Sequence, residues 1–69
     1  MNFAQRLQEV MKEKQITKYR LAKELGVHQT TVKNWIDEKT IPKFDMAEKI
    51  ANVLGVPIED FLYAAQWHS

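Results

Sequence analysis

TKYRLAKELGVHQTTVKNWI, residues Thr17 to Ile36, is the stretch whose reading decides the fold. It divides into two short helices joined by a tight turn. Thr17 offers a hydroxyl where a helix begins, and Leu21, Ala22 and Leu25 then recur at i, i+1 and i+4. Gly26 follows the last apolar position, where a left-handed residue commonly ends a helix, and Val27 gives the turn an apolar anchor. Apolar periodicity resumes with Val32, Trp35 and Ile36. Between and before them stand His28, Gln29, Thr30, Lys33 and Asn34, whose amide, hydroxyl and cationic groups pair with base edges or phosphates. An apolar inner face beneath a short hydrogen-bonding outer face is what a DNA-reading helix requires.

Upstream, Phe3, Leu7, Val10 and Met11 form one apolar stripe, which predicts a first helix from Asn2 or Phe3 to Lys14 with Asn2 as its cap. Downstream, Asp37 to Lys43 reads as a loop, since Pro42 blocks helix continuation. A fourth helix is expected from Phe44 to Leu54, with Met46, Ala47, Ile50, Ala51, Val53 and Leu54 facing inward and Gly55 ending it. Pro57 then opens a short fifth helix, Ile58 to Leu62. Glu59 and Asp60 there suit the positive end of the helix dipole. No strand signal, repeat or low-complexity segment interrupts the five.

Composition bounds the rest. Sixty-nine residues hold one modest core, so residues 1–62 read as one domain and 63–69 as a tail. With no cysteine there is no disulfide and no Cys-based zinc site, and stability falls to helix packing. No apolar run approaches the ~20 residues of a membrane span and the N-terminus lacks a signal-peptide pattern, so a cytoplasmic setting is expected. The net charge of +1 is unevenly spread: Lys12 to Lys43 carries eight basic against four acidic residues, whereas Phe44 to Ser69 carries one against four. That asymmetry suits a protein presenting one face to a polyanion. Catalysis is not expected: the carboxylates are scattered, two glycines make no phosphate-cradling loop, and His28 and His68 stand too far apart to begin a metal site. No cofactor is implied.

RLAKELGVHQTTVKNW, the Pro42–Phe44 segment and EKIANVLGVPIEDFL together resemble the lambda-repressor and Cro-type (XRE) helix-turn-helix family, over Phe3 to Leu62. The resemblance implies an all-α, compact five-helix domain whose second and third helices form the helix-turn-helix. It implies double-stranded DNA as partner, with the third helix in the major groove, and a small phage or mobile-element regulator of repressor or Cro type. Base reading then falls to His28, Gln29 and Thr30 in the first turn of the third helix, with Lys33 and Asn34 one turn on. Gln29 is the foremost of these, because a glutamine amide pairs with adenine N6 and N7. His28 replaces a capping Ser or Thr and reads better as a phosphate neighbour. Phosphate contacts are expected from Thr17, Lys18, Lys39, Thr40 and Lys43, with Tyr19 and Arg20 weaker candidates.

The chain departs from the family at several positions. Gln15 and Glu38 stand where relatives often have glycine, so either Gln15 is mildly strained or the first helix ends differently. Lys18 replaces a glutamine at the start of the second helix. Met11 and Ile36 replace an arginine–glutamate pair, which predicts that the two meet as buried apolar side chains. Phe61, Leu62, Tyr63 and Trp67 form the candidate surface for a homodimer or a partner regulator, although Phe61 and Leu62 read better as core. The alternative function is a modulator or antirepressor that keeps this fold and docks on another regulator. The low net charge, Lys18 and the missing arginine leave room for it.

Overall fold

The structure, a computed structural model, describes residues 2–62. Five helices follow one another: α1 (Phe3–Lys14), α2 (Lys18–Leu25), α3 (Gln29–Ile36), α4 (Phe44–Leu54) and α5 (Glu59–Leu62). No strand occurs among the described residues. The fifth helix begins one residue later than the sequence pattern predicts. The N–H groups of Phe61 and Leu62 turn back to the Ile58 carbonyl, which makes Ile58 the entry to the helix.

The helix starts are built locally. Asn2 and Gln5 form a reciprocal capping box, the Asn2 side chain accepting from the Gln5 N–H at 2.9 Å and the Gln5 side chain from the Asn2 N–H at 3.2 Å. Thr17 Oγ1 accepts the Arg20 N–H at 3.1 Å and so caps α2.

Four helix ends share one hydrogen-bond pattern. Ile16, Val27, Lys39 and Val56 each donate an N–H to the carbonyl five residues back, and the residue before each donates to the carbonyl three residues back. That is the Schellman turn, whose penultimate residue is left-handed. Glycine fills that position twice, at Gly26 (φ 75) and Gly55 (φ 72). The other two are Gln15 (φ 58) and Glu38 (φ 63), the positions where glycine was missing from the resemblance. The first helix therefore ends in the family's manner, with Gln15 held in a conformation costing a side-chain-bearing residue about 1–2 kcal/mol.

Every helix contributes to one core: Phe3, Leu7, Val10 and Met11 from α1, Leu21 and Ala22 from α2, Val32 and Trp35 from α3, Ile50, Ala51 and Leu54 from α4, and Phe61 from α5. α2 packs on α3 and α4, while α1 packs on α3, α4 and α5. The Phe3 and Phe61 rings lie 5.3 Å apart at a tilt of 53°. Arg6 adds a bridge from α1 to Asp60 at 2.9 Å, in a half-buried setting.

One choice is decided here and one expectation is corrected. Phe61 is fully buried against Phe3, as its core reading has it, and so drops out of the candidate association surface. Leu62 is half-buried, and Tyr63 and Trp67 lie outside the described residues. Met11 is buried, but Ile36, in the last turn of α3, is only half-buried against the core. The helix terminates there and nothing covers its outer side completely.

Candidate nucleic-acid interface

The site begins with the α2–α3 pair. Leu21 and Ala22 on one helix and Val32 and Trp35 on the other are buried, with Leu25 and Val27 packed against the cluster at the turn. Spending those positions inward leaves the opposite faces outward. His28, Gln29, Thr30 and Lys33 are exposed, while Asn34 is half-buried. Asn34 also has a structural task, since its carbonyl accepts the N–H groups of Lys39 at 2.9 Å and Thr40 at 3.4 Å. His28 sits at the N-cap of α3 in extended backbone and makes no side-chain capping bond.

The phosphate candidates lie on either side of that helix. Lys18 is the first residue of α2 and is exposed. Thr17 uses its oxygen as an acceptor for the α2 cap, which leaves the hydroxyl proton to donate elsewhere. Lys39 and Thr40 follow the left-handed Glu38, with their backbone N–H groups already bonded to Asn34, so only their side chains remain to meet a ligand. Lys43 is the N-cap residue of α4 and is exposed. Tyr19 is 59% exposed, whereas Arg20 is engaged with Glu24 at 3.1 Å.

The fold also brings together groups that the sequence keeps apart. Asp37 accepts a hydrogen bond from Lys33 Nζ at 2.6 Å. That bond, followed by the charges of Lys33, Lys39 and Lys18, holds its carboxyl below the usual aspartate range. Lys18 from the start of α2, Lys33 from α3 and Lys39 from the following loop thus all act electrostatically on a single carboxylate, and Lys33 touches it.

Two residues with a bearing on the site escaped the sequence reading. One is Asp37, whose i,i+4 spacing from Lys33 was a visible signal. The other is Glu38, which accepts a hydrogen bond from Asn2 Nδ2 at 2.9 Å and so ties the loop after α3 to the cap of α1. No local pattern announces a bond across 36 positions. Among the described residues no helix is long and apolar enough to cross a membrane, and no group of three or more potential metal ligands gathers.

No curated protein and no solved structure matches the chain. A protein-family model described as helix-turn-helix matches residues 7–61. That span contains α2, the turn and α3 together with most of the core that holds them. The chain belongs to the lambda-repressor and Cro-type (XRE) helix-turn-helix family and is a DNA-binding regulator of that class.

Proposed function

We propose that the protein reads a specific duplex sequence by laying α3 in the major groove, with Gln29 as the principal base reader. The observation that carries this is the arrangement around α3: an exposed polar first turn, with the exposed cations Lys18, at the start of α2, and Lys39 and Lys43, in the loop after α3, flanking it along the chain. Base-reading groups at the N-terminal end of a recognition helix, with phosphate-binding groups beside it, are the ordinary division of labour in this motif. Gln29 offers one donor and one acceptor, the pattern adenine displays in the major groove. Thr30 supplies a methyl group for thymine or a hydroxyl for a base edge, and Lys33 and Asn34 extend the same face. His28 stands where it meets the backbone at the groove edge.

Thr17, Lys18, Lys39, Thr40 and Lys43 fix the register on phosphates without reading sequence. The protein acts as a repressor or Cro-like regulator of phage or mobile-element type, working as a homodimer on half-sites about one helical turn apart. Residues 1–62 are the DNA-binding unit and 63–69 its tail.

Paired binding selections on one randomised duplex library, wild type against Gln29→Ala, test the assignment. The variant should lose about 1–3 kcal/mol on the best site and relax preference at one base pair per half-site. Identical preferences for the two proteins would refute Gln29 as a reader. Failure of the wild type to enrich any sequence would favour docking on a partner regulator instead.

A further inference from the structure

Lys33 and Asp37 form the shortest ion pair among the described residues, 2.6 Å between Nζ and Oδ2, with both side chains open to solvent. As a helix-stabilising device the pair is poorly placed. Asp37 caps the C-terminal end of α3, where the helix dipole disfavours an anion, and the basic partner precedes the acidic one, the weaker order for i,i+4 pairs. An exposed pair of this kind contributes little to folding. Its position relative to the proposed interface is more telling. Asp37 touches Lys33, on the face that bears Gln29, and is within electrostatic reach of Lys18 and Lys39, two of the phosphate candidates.

We propose that Asp37 is a built-in competitor for DNA. In the free protein its carboxylate holds the Lys33 ammonium, and docking of α3 requires Lys33 to exchange Asp37 for the nucleic acid while the carboxylate faces the phosphates. The inference rests on the reading of α3 as the DNA-binding helix. Its consequence is a regulator whose backbone affinity is held down at one position. A charge-dependent grip that is too strong on any duplex would leave the protein spread over non-specific sites, since those greatly outnumber the specific one.

The experiment is fluorescence polarisation with a labelled mixed-sequence duplex at potassium chloride concentrations from about 50 to 200 mM, the range over which phosphate contacts are strongly screened. Asp37→Asn should bind about three- to tenfold more tightly than wild type at the low end. Its plot of log K against log salt should be steeper by about one unit, as for one more net positive charge facing the duplex. Asp37→Glu, which keeps the charge, should behave as wild type. In a Lys33→Ala background the gain from Asp37→Asn should shrink, because the ammonium it releases is gone.

Equal or weaker binding by Asp37→Asn, with wild-type binding present and falling with salt, would overturn the competitor role and leave the DNA-binding reading standing. Absence of duplex binding by every protein at the lowest salt would overturn both. Thermal melting accompanies each variant. Should Asp37→Asn melt early, Asp37→Ser is judged by the same two criteria.

Discussion

α2 and α3 are twins in length, eight residues each, and both bury two core side chains, yet their ends are finished differently. α2 starts on Thr17, whose hydroxyl oxygen is committed to a backbone N–H, and ends in a Schellman turn of Gly26 and Val27. Glycine accepts the left-handed conformation without strain, and Val27 packs against the core. α3 starts on His28, which caps nothing, and ends in the same turn made from Glu38 and Lys39. There the left-handed residue carries a side chain and the anchor is an exposed cation. One helix has its termini spent on the fold. The other leaves His28 and Lys39 exposed at its two ends, while Glu38 between α3 and Lys39 is tied to Asn2. The lesson is that a turn's hydrogen bonds and a turn's purpose are separable: identical backbone geometry anchors a core in one place and displays a charge in the other.

The comparison breaks first if the helices are not equally rooted in the core. Trp35→Ala should cost about 3–5 kcal/mol and Leu21→Ala about 2–5, each enough to unfold most of a domain this small. Circular dichroism melts measure it. A large loss for one and a small loss for the other would show that the pair does not share a single core.

The helix ends give the next largest effects, and with opposite signs. Gly26→Ala should destabilise by about 1 kcal/mol through its left-handed backbone alone, because a Cβ there would meet nothing within 4 Å. Gln15→Gly should stabilise by about 0.5–1 kcal/mol, the relief of strain exceeding the added entropy of the unfolded chain. Urea unfolding of both variants decides it. Equal signs would mean that the positive φ at Gln15 is not a source of strain.

At the helix starts, Thr17→Ala should lose about 1 kcal/mol, whereas His28→Ser should gain about 0.5 kcal/mol by supplying the cap that α3 lacks. If the serine variant also bound duplex DNA more weakly, the uncapped start would be shown to serve the ligand. Unchanged binding would confine the difference to stability.

The smallest expected effect concerns pH. Asp37 has a carboxyl pKa held below its ordinary value, first by the hydrogen bond from Lys33. A lowered pKa contributes stability that is present above the unfolded-state value, about 3.9, and is lost as pH falls through the folded one. An NMR titration of the side-chain carboxyl should give a midpoint below that value, and Lys33→Ala should move it back up. A midpoint that ignored the lysine would mean the pair is not formed in solution.

Much of this molecule is determined by sequence alone, wherever the cause lies within one turn of chain. The 3.6-residue stripe of Phe3, Leu7 and Val10, the caps at Asn2 and Thr17, and the stops at Gly26 and Gly55 all rest on local hydrogen bonds and side-chain spacing. The exposed face bearing Gln29 and Thr30 follows from the same periodicity, because Val32 and Trp35 settle which side of α3 turns inward. What only the tertiary structure decided depends on segments meeting across long separations. Phe61 became core because α5 folds back onto Phe3. Ile36 stayed half-exposed because α3 ends at the edge of the packing. Glu38 found Asn2, and Lys18 came within electrostatic reach of Asp37, because α1, α2 and α3 share one core. Residue identities reveal which groups can carry charge or hydrogen bonds, but their distance through space is set by how the helices close on one another.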